Sequence, residues 1–262
     1  MQDGIFRVDE RRGAACGGVA QFASDVVARL VARDGVNGGA LKESVVHRFM
    51  EAARSSDPGD IEGFMPDLKR ARISHAMLAD VYIPEVARRL GVAWEEDKAS
   101  FAEVTIGVAR LQAILREIGA NWMADTADKS CGATVLMILP DSEQHTLGAL
   151  VAASWLRRRG ISVCLKMAPS PADISALLEV RHFDGAMISI ACQEKLEIGA
   201  KLVSTIRQVT ANGLRIALGG AVLDQGGDVA AMTGADIVTN DLFIAIQALG
   251  LTRTKPMLMN IT

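Results

Sequence analysis

A histidine, a carboxylate, a serine and three glycines follow predicted β-strands at the points where those strands end. Glu143, His145 and Gly148 come after the first strand, Ser189 closes the third, and Gly219-Gly220 follows the fourth. Imidazole is a common metal ligand, a carboxylate can orient it, and glycine lets a flat group lie on the backbone. Because ligands of parallel sheets bind beyond the carboxyl ends of the strands, we expect these residues to gather at one edge.

Each of these residues also has an ordinary structural interpretation. A single histidine at a helix start is more often hydrogen-bonded than metal-bound, a serine after a strand often caps a helix, and Gly-Gly often forms a tight turn. The sequence has no G-x-G-x-x-G after the first strand and no G-K-[ST]. It therefore lacks the dinucleotide fingerprint and the P-loop, and only the combination of residues favours a binding site.

The elements that must position these residues alternate over residues 133–250. We predict five strands, at 133–139, 161–167, 185–190, 214–218 and 235–238. The predicted helices span 144–159, 172–181, 195–211, 225–233 and 242–249. Strands alternating with helices are typical of a parallel sheet covered on both faces, so the fold class is α/β with a flavodoxin-like, Rossmann-type five-stranded sheet.

Residues 40–127 have instead the apolar periodicity of four helices joined by short turns, which predicts a helical bundle. Ser74 is the expected N-cap of a long helix that Pro84 should kink or disturb. Ser100 and Glu103 form a capping box that opens the last helix. The predicted organisation is an N-terminal extension (1–37), a four-helix-bundle cap (38–127), an α/β domain (128–253) and a tail (254–262).

Composition excludes several classes of function. The 262 residues carry a net charge of -3, which argues against a protein that binds nucleic acid mainly through phosphate contacts. Only 4% of the residues are aromatic, which argues against binding by base stacking. None of the four cysteines forms C-x-x-C, which favours free thiols in a reducing cytosol. No secretory signal and no membrane-length apolar run is evident, so we expect a cytoplasmic protein without membrane contact. Arg157-Arg158-Arg159 is interpreted as a solvated helix end.

The residues at the strand ends resemble the fingerprint of the cobalamin-binding domain family, which is D-x-H-x-x-G, then S-x-L, then G-G. This chain has Glu143-x-His145-x-x-Gly148, then Ser189-x-Ala191, then Gly219-Gly220. Between Ala191 and Gly219 lie 27 residues, a separation that suits the family. Glutamate replaces aspartate and alanine replaces leucine. Such domains commonly follow a four-helix cap, so the resemblance extends over residues 40–253.

The resemblance implies a role for each matched residue. His145 would be the lower axial ligand of cobalt and would displace the dimethylbenzimidazole base of the cofactor, and Glu143 would orient that histidine. The displaced base would enter a slot lined by Ser189 and Gly219-Gly220. Trp94 would cover the upper face of the corrin ring.

A closer resemblance is to the AerR/PpaA group of photosynthesis-gene regulators of purple bacteria. It is carried by residues 91–111, by residues 143–148, and by the lack of a DNA-binding module. It implies an antirepressor that acts on the redox-responsive repressor of the CrtJ/PpsR type and does not bind specific DNA alone. Adenosylcobalamin photoreceptors have a Glu-His pair after the tryptophan, where this chain has Glu103-Val104. Hydroxo- or aquocobalamin is therefore favoured over adenosylcobalamin.

Other interpretations remain open at this point. The same fingerprint and cap occur in corrinoid carrier subunits of methyltransferases, and a related group of domains binds haem. Trp94 can equally be a bundle-core residue, and Glu103 can be only the capping-box partner of Ser100. His47, His75 and His182 are expected on the surface.

Overall fold

A computed structural model describes residues 41–125, 132–141 and 146–251. The first part is helical, with α1 (Glu43–Arg54), α2 (Gly59–Arg70), α3 (His75–Met77), a π-helical turn (Leu78–Tyr82), α4 (Ile83–Glu95) and α5 (Phe101–Asp125). The second part contains β1 (Thr134–Leu139), α6 (Leu147–Arg158), β2 (Ser162–Met167), α7 (Pro171–Val180), β3 (Gly185–Ser189), α8 (Leu196–Val209), β4 (Ile216–Gly219), α9 (Val229–Thr233), β5 (Ile237–Val238) and α10 (Leu242–Ala248). Two 3₁₀ turns lie at Gln193–Lys195 and Ala221–Gln225.

The helices of the first part pack around one apolar core. Phe49 of α1 stacks on Phe64 of α2, with ring centroids 4.9 Å apart. Leu90 of α4 and Leu111 of α5 are fully buried in the same cluster. These contacts follow from the apolar stripe that each helix presents every three to four residues. They confirm the helical region expected before the sheet.

The predicted disturbance at Pro84 takes the form of a π-helical turn over Leu78–Tyr82. Proline has no N–H, so the carbonyl of Asp80 receives no α-helical hydrogen bond from position 84, and the ring crowds that carbonyl. The chain widens instead, and the N–H of Ile83 bonds to the carbonyl of Leu78. Ser74 caps the start of this helical stretch by accepting from the N–H of Met77 at 3.1 Å, as the sequence predicts.

All five strands form one parallel sheet in the order β2-β1-β3-β4-β5. This is the flavodoxin-like order, in which β1 and β3 are neighbours and the chain reverses its winding direction between them. β1 is buried along almost its whole length, as expected for a strand covered by helices on both faces. The sequence-based fold class is confirmed.

Helix α6 joins the bundle to the sheet. Its Leu147 and Val151 belong to the bundle core, whereas Trp155 and Leu156 belong to the core on one face of the sheet. A helix that contacts apolar neighbours on both sides must be apolar all round. This explains why nine of the ten residues from Leu147 to Leu156 are buried, with Leu150 as the exception.

The three arginines at the end of α6 correct a prediction, because they do not form a solvated helix end. Burial lowers the pKa of Arg157, and its guanidinium donates to the carbonyl of Val163 at 3.1 Å. Arg158 forms an ion pair with Asp80, and the side chains are 14% and 16% exposed. Arg159 lies over the ring of Trp155 at 3.5 Å from its centroid. The charge run in the sequence gave no sign of these partners, of which Asp80 is distant in the chain whereas Val163 and Trp155 are near.

A second correction concerns the predicted helix over 225–233. The residues Ala221–Gln225 form a 3₁₀ turn, and α9 begins only at Val229, with Asp228 as its N-cap. Gly226 and Gly227 lie between them with φ values of 79° and 95°, which a helix does not contain.

Over the described residues, no helix is long and apolar enough to cross a membrane.

Candidate functional site

A narrow cleft opens at the carboxyl edge of the sheet, between α6 and α10. Its volume, including the open mouth, is about 460 Å³. The strands contribute Met137 from β1, Ser189 from β3 and Gly219 from β4, and the helices contribute Gly148 and Ala245. This cleft, hereafter the slot, lies where the strand order predicts a ligand site. Most of its walls are apolar, so it suits a flat group of low polarity.

The two glycines after β4 are required by the packing of the slot wall. At Gly219 a Cβ atom would lie 2.8 Å from the carbonyl oxygen of Thr239. At Gly220 it would lie 1.9 Å from the carbonyl oxygen of Ile190, and φ is +122°. Real Cβ atoms do not approach oxygen so closely, and a side chain at this φ is strained. Both positions therefore exclude every residue except glycine.

Asn240 holds this glycine turn from the other side. Its Oδ1 accepts from the N–H of Gly220 at 2.8 Å, and its Nδ2 donates to the carbonyl of Gly220 at 3.3 Å. Asn240 is 9% exposed and also lines the slot, next to Thr239. The amide side chain thus pairs both the N–H and the carbonyl of Gly220, which belong to two successive peptide groups, in a buried position.

Sequence reasoning missed Asn240 and Thr239, although a signal for them existed. Both follow β5, at the same carboxyl edge as the residues found after the first, third and fourth strands. The rule that ligands bind beyond the carboxyl ends of parallel strands applies equally to the fifth strand. Applied there, it points to these two polar residues.

The slot brings together four of the predicted site residues, namely Gly148, Ser189, Gly219 and Gly220. Ser189 ends β3 and caps no helix, because the following 3₁₀ turn begins at Gln193 and α8 at Leu196. The expectation that these residues gather at one edge is thus met for every member that the structure describes. Glu143 and His145 lie outside the described residues, so their roles stay predictions.

Thr146, which directly follows His145 in the chain, is tied to the bundle. The Nε2 atom of Gln112 in α5 donates to the Thr146 hydroxyl at 2.9 Å. The apolar contacts of Leu147 continue this junction into the bundle core. The end of the segment that carries the predicted cobalt ligand is therefore anchored to α5 as well as to α6.

Trp94 lies one residue before the end of α4 and is 42% exposed. It is not a bundle-core residue, which removes one of the two interpretations that its sequence position left open. It does not line the slot. An exposed indole can contact a bound molecule, and the place of Trp94 over the corrin ring stays a prediction.

Glu103 is fully engaged at the start of α5, as the capping box predicts. Its carboxylate accepts from the N–H and the hydroxyl of Ser100, both at 2.8 Å, and pairs with Arg54 at 2.7 Å. The backbone N–H of Ser100, then its hydroxyl, and then Arg54 lower the pKa of Glu103 to about 2. This carboxylate is committed to a helix cap.

His47, His75 and His182 are exposed, as predicted, and His47 contacts Glu51 at 3.3 Å. In the part of the chain that the structure covers, no group of three or more His, Cys, Asp or Glu side chains could hold a metal ion. The residues of the slot fit a different kind of ligand. A glycine turn without Cβ atoms and apolar walls form a cradle for a flat aromatic base, which is the part of cobalamin that the fingerprint assigns to this place.

No family model matches the sequence. A curated relative does: the uncharacterized 20.5 kDa protein in the bchF-crtJ intergenic region of Rhodobacter capsulatus is 44% identical over 185 residues. The alignment covers 71% of this chain and 96% of the relative. The chain belongs to the family of that protein. The family member is uncharacterized, so membership alone assigns no activity.

Solved structures identify the fold of this family member. The monomethylamine corrinoid protein of Methanosarcina barkeri aligns over 80% of this chain and 98% of its own, with a TM-score of 0.61 at 10% identity. A novel cobalamin-binding protein from Desulfitobacterium hafniense DCB-2 aligns over 81% of this chain and 98% of its own at 12% identity, with a TM-score of 0.41. The first likeness shows that this chain, with helices followed by a five-stranded parallel sheet, shares the fold of that corrinoid protein.

Proposed function

We propose that the chain is a cobalamin-binding, light-responsive transcriptional regulator, and not an enzyme. It acts on a photosynthesis-gene repressor of the CrtJ/PpsR type and does not bind specific DNA alone. The observation that carries the cobalamin half is the slot, which gathers Gly148, Ser189 and Gly219-Gly220 at the carboxyl edge of the sheet. The observation that supports the regulatory half is the relative, which is described by its place in the bchF-crtJ intergenic region.

In this proposal each part of the chain has a separate task. The slot holds the displaced base of the cofactor, and Asn240 keeps the glycine turn in place. His145 would hold the cobalt ion, Glu143 would orient that histidine, and Trp94 would cover the corrin ring on the side away from His145. When bound, hydroxo- or aquocobalamin supplies a cobalt ion with an exchangeable upper ligand. The engagement of Glu103 in its helix cap supports this choice over adenosylcobalamin, because that carboxylate is not free to form an adenosyl pocket.

Charge supports action through a partner protein. Residues 128–262, which contain the sheet, have 12 basic and 12 acidic residues, and residues 1–127 have 16 and 19. A protein that grips DNA through phosphates concentrates Lys and Arg on one surface. The three consecutive arginines of α6 are not such a surface, because Arg157 and Arg158 are engaged with Val163 and Asp80.

The test of the cobalamin half is reconstitution with hydroxocobalamin and with adenosylcobalamin, in the dark and after illumination, followed by absorption spectra. We expect retention of hydroxocobalamin with its base displaced, and weak retention of adenosylcobalamin in the dark. His145→Ala should lose the cofactor and keep its circular dichroism spectrum, whereas the control His182→Ala should behave like the wild type. Equal retention by the wild type and His145→Ala would remove His145 as the ligand.

The test of the regulatory half is a DNase footprint on a photosynthesis promoter. At physiological salt the chain alone should protect no part of the promoter from DNase. The cobalamin-loaded chain should change the region that a purified CrtJ/PpsR-type repressor protects. Specific DNA binding by the chain alone would contradict the proposal. So would methyl transfer from a substrate to the loaded protein, which is the activity of a corrinoid carrier.

A further inference from the structure

The first turn of α6 is where the slot meets the segment of the predicted cobalt ligand. Gly148 and Ala149 in this turn line the slot. Thr146 is the N-cap residue of the helix, and His145 is its neighbour on the N-terminal side. The placement of this turn therefore sets the position of one slot wall and the point from which the segment of His145 departs.

Thr146 does not cap α6 with its side chain. A threonine at an N-cap usually accepts from a backbone N–H two or three residues further on. Thr146 has a helical backbone, with φ of -87° and ψ of -19°, and its hydroxyl makes no such bond. It accepts instead from Nε2 of Gln112 at 2.9 Å. Ser74 and Asp241 do cap their helices. The hydroxyl of Thr146 is thus used for a contact with the bundle in place of a local cap.

Gln112 supplies a directional contact at the start of the junction between α5 and α6. About two turns further along both helices, a Cβ atom at Gly119 would lie 3.9 Å from the Ser154 hydroxyl. The two helices therefore run side by side in the same direction. Apolar packing, such as that of Leu147 in the bundle core, leaves small rotations and shifts of a helix open. A hydrogen bond restricts both its length and its angle, so the bond from Gln112 fixes the start of α6 on the bundle.

We propose that Gln112 is a positioning residue of the cobalamin site, which through Thr146 holds the segment of His145 where its imidazole meets cobalt. This inference rests on the proposed function, because it needs His145 to be the cobalt ligand. Gln112 does not line the slot, so it acts on the ligand segment and not on the displaced base. It makes a bundle residue outside the fingerprint part of the binding site.

The test titrates the full-length apo chain with cobalamin and with cobinamide, which has no lower base and depends on His145 alone. Gln112→Met keeps the length of the side chain but cannot donate. Without the bond the ligand segment is in place in fewer molecules, and one hydrogen bond shifts such an equilibrium roughly five-fold. Both corrinoids should therefore bind roughly five-fold more weakly. Thr146→Val should have a similar effect, and the double variant should bind no more weakly than either single variant, since all three lose the same bond.

A spectroscopic measurement separates positioning from a merely structural role. With saturating cob(II)inamide, an axial nitrogen that splits the electron paramagnetic resonance signal of cobalt can come only from the protein. The wild type should show that splitting in full and Gln112→Met in a smaller fraction. Gln112→Glu should recover part of it, because its carboxylate can accept from the Thr146 hydroxyl. Gln208→Met, which removes an exposed amide from α8, is the control and should match the wild type.

The outcomes separate this inference from the proposed function. If Gln112→Met binds both corrinoids as tightly as the wild type, the bond does not position the ligand segment. If it weakens cobalamin and not cobinamide, it acts on the slot and the stated role is wrong. If the losses of Gln112→Met and Thr146→Val add in the double variant, the two side chains act independently and the inference fails. If His145→Ala binds cobinamide like the wild type, or the wild type binds neither corrinoid, the proposed function itself fails.

Discussion

Asn240 offers the sharpest test of how the slot is built. Asn240→Ala removes the 2.8 Å bond from the Gly220 N–H and the 3.3 Å bond to the Gly220 carbonyl. It leaves a buried N–H without its partner, which costs about 1–3 kcal/mol, and the longer bond adds about 0.5 kcal/mol. We therefore expect the free energy of unfolding to fall by about 2–3 kcal/mol, measured by urea denaturation of the apo protein.

The same change should also weaken cobalamin binding. Without Asn240 the turn at Gly219-Gly220 can leave the position that shapes the slot, and affinity falls with the fraction of molecules in which the slot is formed. A slot formed in one molecule in ten would bind cobalamin roughly ten-fold more weakly. Titration of the variant with hydroxocobalamin measures this loss at protein concentrations where the variant is folded.

Two variants serve as controls for Asn240→Ala. Gln247→Ala removes an exposed amide from α10, the helix that follows Asn240, and should change stability by less than about 0.5 kcal/mol. Asn240→Asp keeps the oxygen that accepts from Gly220 but places a carboxylate against the Gly220 carbonyl, so it should not rescue the loss. If Asn240→Ala unfolds within about 0.5 kcal/mol of the wild type and binds cobalamin equally well, the amide does not hold the slot.

Three further predictions concern the junction, the cap and the turn. Asp80→Ala removes the ion pair between Asp80 and the largely buried Arg158 and should lower the free energy of unfolding by about 2–4 kcal/mol in urea denaturation. The double variant Asp80→Leu/Arg158→Met should recover most of that loss, and an undiminished loss in the double variant would contradict a pairwise interaction. The pKa of Glu103 is about 2 when folded and 4.5 as a free side chain, so its stabilisation is present above pH 4.5 and is lost as the pH falls towards 2. The stability difference between wild type and Glu103→Gln should therefore shrink over that window, and a difference independent of pH would refute the assignment. Gly220→Ala should prevent the sheet from folding, as measured by circular dichroism, because its Cβ would overlap the backbone of Ile190. Gly226 is the control, since it has φ of +79° but open space around it. Gly226→Ala should lower the free energy of unfolding by only about 1 kcal/mol.

The fold was predictable from sequence because the relevant signals are local. The alternation of apolar runs with helical patterns specified five parallel strands, and each observed strand lies within two residues of its predicted start or end. The capping box at Ser100 and the disturbance before Pro84 also depend on neighbouring residues only. In each case the physical cause, a missing N–H or a side-chain cap, is fixed within one helical turn.

The features that the sequence did not predict depend on partner residues that lie far away in the chain. The pairing of Arg158 with Asp80 joins residues from α6 and the π-helical turn, and a run of three arginines resembles a solvated helix end until that partner is known. Asn240 is similar, because its structural role depends on its hydrogen bonds with Gly220, which lies twenty positions earlier in the chain. Its place after β5 marks Asn240 as a candidate for the ligand edge, but nothing in the sequence indicates that its amide pairs with Gly220.

The glycine pair illustrates why a matched fingerprint and a proven site are different things. Glycine at 219 and 220 is demanded by Thr239 and Ile190 whether or not a cofactor is present, because a Cβ at either position would overlap the backbone. Replacing Gly220 with a bulky residue would therefore destroy the turn before it could block a ligand, and loss of cobalamin in such a variant would prove nothing about the slot. Ser189 does not have this defect. Its side chain forms no hydrogen bond to another described residue, so a loss of cobalamin in Ser189→Ala is not explained by a broken hydrogen bond to those residues.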